Sequence, residues 1–264
     1  MNVTLIATIA ICAYLGSAVM IFKFSAQDRL KRGALGGAWL AVVLHTLYIF
    51  LTVQQNTGFN FSFFSMASLV ALLVALLMLL ATLSKPVENL GIFLFPVTAL
   101  MLSLELVFPE RQRSPESHSW AMHLHIVSSI VAFSLLNIAA LQAILLVIQN
   151  QQLKSHPPKR YIQSMPSLET MESLLFQMIT AGVLFLSISL ASGFLFVDDI
   201  FARHQVHKTL FSICAWLIFS GLLIGRLRFG WRGQTAVKWT LFGFMFLLLA
   251  YFGSKGVKEI ILNR

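Results

Sequence analysis

Long runs of apolar residues divide the chain into eight segments separated by short polar connections. A helix needs about 20 mostly apolar residues to cross the roughly 30 Å hydrocarbon layer of a bilayer. A transmembrane barrel would instead show alternating segments of about 10 residues. We therefore predict an all-α integral membrane protein, a bundle of about eight transmembrane helices. The predicted spans are residues 2–24, 36–53, 62–83, 90–108, 120–150, 174–196, 209–227 and 239–254.

The polar connections carry the cationic residues and indicate how the chain is oriented. Of the 19 Lys and Arg residues, 12 follow the odd-numbered spans and 7 follow the even-numbered ones. Cytoplasmic connections are enriched in Lys and Arg, so both termini are predicted to lie outside, in the periplasm. No connection reaches the roughly 40 residues at which a small domain becomes feasible. Residues 1–264 are thus predicted to form a single transmembrane domain.

Composition supports this class and excludes others. Hydrophobic residues make up 58% of the chain and charged residues 11%, about half the charged share of a soluble domain. The net charge of +9 resides in the connections between spans. That placement predicts the lipid bilayer as the partner and does not favour nucleic-acid binding, which needs a basic groove. The two cysteines lie within apolar segments and predict no disulfide framework.

The usual catalytic signatures do not occur in the sequence. It contains no Gly-rich phosphate loop, HExxH pair, CxxC pair or GxSxG elbow. These motifs mark ATPases, metalloproteases, thiol-redox proteins and serine hydrolases, respectively. The sequence therefore predicts no catalytic residues and does not favour an enzyme.

Histidines are the most informative polar residues, because imidazole ligates metals and haem iron. Six of the seven lie in a span or on the predicted outer side: His45, His118, His123, His125, His204 and His207. At 100° per residue, His123 and His125 point about 200° apart and do not share a site. His204 and His207 share a face if their segment is helical. One histidine from each pair could meet outside the membrane, although interfacial histidines also serve as amphipathic anchors.

His45 and Glu105 lie inside predicted spans. A histidine near the middle of the bilayer, such as His45, usually faces the bundle interior and is a candidate for function. A hydrogen bond from His45 to a Ser or Thr on another helix is the equally open alternative. Glu105 lies in the outer part of the fourth span, where it could neutralise a cation, orient a histidine, or simply reach the surface.

Four stretches resemble the cytochrome c assembly membrane proteins, the family of CcsA, CcmC and CcmF, in the branch that includes HemX. They are LHTLYIFLTVQQNTGFNFSFFSMASLVAL, HIVSSIVAFSLL, HKTLFSICAWLIF and GWRG. The resemblance covers most of the chain. It implies a multi-pass protein of the bacterial inner membrane, related to cytochrome c biogenesis, that handles haem.

The resemblance also implies roles for individual residues. His125 falls where the family has an external haem-ligating histidine, and His45 where it has a membrane-embedded one. The family's WGxxWxWD segment is replaced by ASGFLFVDDIFARHQVHKT, which keeps Lys208. Leu262 or a neighbour replaces the second external histidine, and about Ile224 replaces the partner of the membrane histidine.

The loop between spans six and seven offers substitutes for the missing histidine. Our hypothesis is that His125 and His207 ligate haem iron from opposite sides, with His207 preferred over His204 because it adjoins Lys208. A cofactor-free membrane scaffold or partner subunit, which kept the fold and lost the haem site, is the alternative. A small-solute transporter is a further alternative, although the span centres hold few of the polar groups that transporters place at mid-membrane.

Overall fold

A computed structural model of the chain describes residues 3–24, 28–55, 63–85, 87–108, 120–154, 166–196 and 206–253. Within these ranges the chain forms eight long α-helices and no strand. The helices are α1 (Val3–Lys23), α2 (Asp28–Gln55), α3 (Phe63–Thr82), α4 (Gly91–Val107), α5 (Trp120–Lys154), α6 (Leu168–Phe196), α7 (Val206–Phe229) and α8 (Gln234–Leu248). A 3₁₀ turn at Glu88–Leu90 precedes α4, and a π-helical turn at Leu249–Gly253 continues α8.

The described residues contain eight helices that are long and apolar enough to cross a membrane, which confirms the predicted class. Helices dominate because hydrocarbon offers no water to the backbone, so each N–H and C=O must be paired within its own segment. Large apolar side chains such as Leu184, Leu195 and Leu227 are 60%, 73% and 85% exposed. In a bilayer this exposed apolar surface is where lipid chains pack.

The eight helices group into two compact units, each made of four consecutive helices. In the first unit, α1 packs against α2 and α4, and α3 packs against the same two helices. Helices α1 and α2 are antiparallel, since Tyr14 meets His45 while Ser17 lies beside Gly37. One end of this bundle carries an ion pair between Lys31 and Glu88 at 2.7 Å.

The second unit repeats this neighbour order with α5 to α8. Here α5 packs against α6 and α8, and α7 packs against the same two helices. Helices α5 and α6 pack closely, and a Cβ on Gly182 would lie 2.7 Å from the side chain of Leu136. Helix α5 is the most buried of the eight. Its 35 residues span about 52 Å at 1.5 Å per residue, so it extends beyond the hydrocarbon layer.

The short GWRG connection between α7 and α8 forms a turn of defined conformation. Gly230 and Gly233 have positive φ angles of 64° and 55°, a conformation that L side chains rarely adopt. Trp231 between them folds back onto α7, leaving no room for a Cβ on Gly225. It also stacks on Trp239 of α8, with ring centroids 5.4 Å apart. These contacts fix the turn, and with it the pairing of the last two helices.

Candidate functional site

His125 lies near the beginning of α5, and its side chain is oriented by the backbone of α6. Its Nδ1–H donates a hydrogen bond of 2.8 Å to the carbonyl oxygen of Ser189. A carbonyl is only an acceptor, so this contact requires the proton on Nδ1. The other ring nitrogen, Nε2, then carries a lone pair. No described residue hydrogen bonds to Nε2, and the side chain is only half-buried.

Gly193, four residues after Ser189, lets the imidazole lie against α6. A Cβ built on Gly193 would lie 3.1 Å from Cε1 and 3.2 Å from Nδ1 of His125. Such distances are tighter than ordinary van der Waals contact, so a side chain here would displace the ring. The glycine and the carbonyl together set the position and tilt of His125.

Several contacts give the register of α7 against α6. Trp216 donates a hydrogen bond of 2.7 Å from Nε1 to Oγ of Ser187. Nearer the other end, the guanidinium of Arg226 lies over the ring of Phe176. As residue numbers rise in α7 they fall in α6, so the two helices are antiparallel. The first turn of α7 therefore lies at the same end of the unit as Ser189.

The register places the backbone of His207 close to the level of His125. His207 precedes Trp216 by nine residues on α7, and Phe196, the last residue of α6, follows Ser187 by nine residues. Each separation is about 14 Å along its helix. His125 is level with residues 189–193 of α6. The two histidine positions thus differ by about 5 to 10 Å along the helix axis.

The other predicted members of this site are only partly described. The backbone of His207 belongs to the first turn of α7, but its side chain lies outside the described residues. His204 and Leu262 also lie outside them. Lys208 is half-buried. Within the described part of the chain no group of three or more His, Cys, Asp and Glu side chains could hold a metal ion. Haem iron takes at most two axial ligands from the protein, so this finding does not bear on a haem site.

His45 lies in the first unit and is fully buried between helices. Its Nε2 is 3.0 Å from Oγ of Ser68 on α3, the kind of hydrogen bond that the sequence left open. Its Nδ1 is 3.5 Å from the hydroxyl of Tyr14 on α1. Both ring nitrogens therefore face hydroxyl groups of neighbouring helices. Ile224 on α7, where the family resemblance expects a partner for this histidine, is 54% exposed.

Glu105 on α4 belongs to the same polar cluster. Its carboxyl group interacts with the hydroxyls of Ser65 and Ser68, both on α3. Its Oε2 atom is buried and has no hydrogen-bond partner among the described residues. Glu105 and His45 thus share Ser68 as a hydrogen-bonding neighbour.

Sequence reasoning missed the residues that position the two histidines. Ser189 acts through its backbone carbonyl, which no side-chain pattern can reveal. Gly193 carried a usable signal, because a glycine near the end of an apolar span marks a close approach by another helix. Tyr14 and Ser68 were also detectable as polar residues within apolar spans. Their pairing with His45 was not, since they lie 31 and 23 positions away in the chain.

Comparisons with known proteins agree with the fold and name the family. The family described as cytochrome C assembly protein matches residues 33–262. The inner membrane protein YpjD of Escherichia coli K12 is 29% identical over 263 residues, which cover 97% of this chain and 98% of YpjD. The cytochrome c biogenesis protein CcsA of Chlamydomonas reinhardtii is 26% identical over 227 residues, covering 84% of this chain and 56% of CcsA. No solved structure matches the chain.

These matches extend over nearly all of the eight helices. Together with the apolar spans, the likeness to YpjD over nearly its whole length confirms the expected bacterial inner-membrane location. The family match includes both the chain around His45 and the surroundings of His125. It links the protein to a role related to cytochrome c biogenesis. The chain belongs to the cytochrome c assembly protein family.

Proposed function

We propose that this protein handles haem at the end of the second unit where α5 begins, with His125 as one axial ligand. The observation that carries the proposal is the hydrogen bond between Nδ1 of His125 and the carbonyl of Ser189. In metal-binding histidines the second ring nitrogen commonly donates to a carbonyl or carboxylate, which fixes the tautomer and makes the ligating nitrogen more basic. His125 has this arrangement, and its Nε2 is the nitrogen left for iron.

The surroundings of His125 fit a flat apolar cofactor with polar edges. The imidazole is half-buried, so it is held by α6 without being enclosed by the described residues. Its neighbours on α5 include the exposed apolar side chains Leu124 and Val127. Haem bound here would supply reversible iron redox chemistry and an apolar ring. The protein would supply the axial nitrogen, its orientation and the apolar contact.

We propose His207 as the second axial ligand. Its backbone lies at the same end of the unit as His125, with the two positions about 5 to 10 Å apart along the helix axis. His204, three residues earlier in sequence, is the alternative ligand. Lys208, the next residue after His207, is a cation of the kind that pairs with a haem propionate. By the distribution of Lys and Arg, this end faces the periplasm.

A reconstitution experiment tests the proposal. Detergent-purified protein is titrated with haem, and the Soret band is followed in the wild type and in His125→Ala. His123→Ala is the matched control, because it removes a histidine from the same helix only two residues away. We expect His125→Ala to weaken binding at least tenfold and His123→Ala to leave it near the wild-type value. In His125→Gly, added imidazole should restore the low-spin spectrum.

Two outcomes would contradict haem ligation by His125. One is the absence of a Soret shift in the wild type when haem is supplied in excess. The other is an unchanged spectrum and affinity in His125→Ala. His207→Ala and His204→Ala, compared in the same titration, decide the second ligand. Copurification of the wild type with another membrane protein and without pigment would favour the scaffold role instead.

A further inference from the structure

A chain of hydrogen bonds crosses the interior of the first unit and takes one residue from each of its four helices. Tyr14 of α1 meets His45 of α2, His45 meets Ser68 of α3, and Ser68 meets Glu105 of α4. Tyr14, His45 and Ser68 are each 0% exposed. Four polar groups joined in series inside an apolar bundle are costly unless they act together.

The Tyr14–His45–Ser68–Glu105 series contains one carboxyl group and no Lys or Arg side chain. The groups that face Glu105 from the packed helices are hydroxyls, from Ser65 and Ser68 on α3 and from Tyr48 on α2. In the described part of this unit, Lys31 is paired with Glu88 at the other end of the bundle. Lys31 precedes His45 by 14 residues on α2, about 21 Å along the helix.

Within the described residues, a carboxylate at this position would therefore lack a direct counter-charge. Leaving an ionised group in an apolar interior without a partner costs several kcal/mol, and such groups usually take up a proton instead. Oε2 of Glu105 is buried and has no partner among the described residues. Among the described residues, a group that can carry a positive charge and is connected to Glu105 is His45, reached through the hydroxyl of Ser68.

We propose that the Tyr14–His45–Ser68–Glu105 chain is a proton-binding site, in which one exchangeable proton is shared between Glu105 and His45. When Glu105 is ionised and His45 is neutral with its proton on Nδ1, Nδ1–H donates to the hydroxyl oxygen of Tyr14, and the hydroxyl of Ser68 donates to Nε2 of His45. Each group has the donor and acceptor that this order needs.

Uptake of a proton adds a donor at Glu105. A proton arriving at the carboxylate forms an O–H bond, and the carboxyl group then donates to Oγ of Ser68. Ser68 can in turn pass its own hydroxyl proton to Nε2 of a His45 whose other proton is on Nδ1, while it receives the carboxyl proton. The imidazole is then a cation beside a carboxylate. Every proton gained by one group is lost by its neighbour, so no other reactant is required.

We place proton entry at Glu105 because of its position along α4. Glu105 is two residues before the end of α4 at Val107, whereas Tyr14 lies near the middle of α1. At the inner end of the chain, the ring of Tyr14 packs against Phe95, which is apolar. The site therefore exchanges protons at the end of the bundle where α4 ends, and it holds them in the interior. The Lys31–Glu88 pair lies at the opposite end, where α4 begins.

Infrared spectroscopy of the purified full-length protein in detergent tests the proposal without haem. A protonated carboxyl group in an apolar setting gives a C=O stretch that is separate from carboxylate bands and shifts in D₂O. We expect a pH-dependent band of this kind that disappears in Glu105→Gln. Glu88→Gln removes a carboxylate that is paired with Lys31 and is the matched control, in which the band should persist.

Ser68→Ala tests the connection to His45. We expect this change to move the pH midpoint of the Glu105 band by at least one unit, because the two groups then titrate independently. Ser103→Ala is its control, since the Ser103 hydroxyl bonds only to the carbonyl of Ala99 on its own helix in the described contacts. Thermal unfolding of each variant confirms that it is folded.

Four results would overturn the proposal. The first three are the absence of any such band over the accessible pH range, a band that survives in Glu105→Gln, and a midpoint that Ser68→Ala leaves unchanged. A band that appears only when Na⁺ is withdrawn would also overturn it, because the site would then be a metal-cation site. All of these changes lie in the first unit, so their outcome is independent of haem binding at His125.

Discussion

Nη1 of Arg226 lies 2.7 Å from Oε1 of Glu172, and this ion pair ties α7 to the beginning of α6. The same carboxylate also accepts from Nε of Arg232 at 3.1 Å and from the backbone N–H of Gly233 at 3.3 Å. One buried acidic side chain thus holds the GWRG turn from both sides. The arrangement explains why this short motif is structured.

Glu172→Gln should destabilise the second unit. The variant keeps one carbonyl acceptor but loses the charge that binds two guanidinium groups. Because both arginines are partly exposed, we expect a loss of about 1–3 kcal/mol in the free energy of unfolding. Glu169→Gln, exposed one turn earlier on α6, is the control and should stay near the wild type. Thermal or denaturant unfolding in mixed micelles gives both values, and equal stability of the two variants would contradict the role of Glu172.

The Lys31–Glu88 pair should show the behaviour of a buried ion pair. The two side chains are 11% and 17% exposed, and their charged atoms are 2.7 Å apart. Lys31→Met leaves Glu88 without its cation, for which we expect a loss of about 3 kcal/mol in stability. Combining it with Glu88→Leu should recover most of that loss, because two apolar side chains need no partner.

Arg32→Met serves as the control for this pair. Arg32 is the next residue on α2 and is exposed, so its replacement should change the free energy of unfolding by no more than about 0.5 kcal/mol. The measurement is again unfolding in micelles. If the double variant were as unstable as Lys31→Met, the loss would come from packing of the lysine stem and not from the unpaired carboxylate.

The contact between Gly182 and Leu136 should limit the size of both side chains. Gly182→Ala brings a Cβ to 2.7 Å from the fully buried Leu136, so we expect a loss of about 1–3 kcal/mol. Leu136→Ala leaves a cavity and should cost about 2–5 kcal/mol. The double variant should be less destabilised than the sum of the two, because the new methyl group fills part of that cavity.

Gly221→Ala is the matched control on α7 of the same unit. A Cβ at Gly221 meets nothing within 4 Å, so the change removes only the flexibility of glycine in a helix. It should leave stability unchanged or raise it by up to about 1 kcal/mol. Strict additivity in the Gly182–Leu136 cycle would show that the two positions do not share a packing contact.

Gly193→Ala should weaken haem binding while leaving the protein folded. The added Cβ lies 3.1 Å from the ring of His125, so the imidazole must tilt away from the carbonyl of Ser189. Changes in the groups that orient a metal ligand typically cost about 10–100-fold in affinity. We expect at least a tenfold rise in the haem dissociation constant, measured by Soret titration. Gly221→Ala is again the control, and equal affinity in both variants would show that Gly193 does not set the ring position.

The class of the protein was predictable from its sequence because it depends on a local property. Each span must be apolar along its whole length, and hydrocarbon enforces helix formation within the segment itself. His45 and Glu105 could be identified as unusual polar residues for the same reason. Whether Glu105 reached the surface or oriented a histidine was left open, because its Ser65 and Ser68 partners come from another helix.

The candidate sites themselves depend on the register between helices. His125 was selected by resemblance, but its tautomer follows from a carbonyl 64 positions away on α6. No pattern of side chains encodes that contact, which arises only when α5 and α6 pack closely at small residues. The sequence by itself determined the number of spans and the polar residues that are candidates for a site. The tertiary structure decided which of them are joined, because hydrogen bonds between helices depend on the rotation and axial offset of each helix relative to its neighbours.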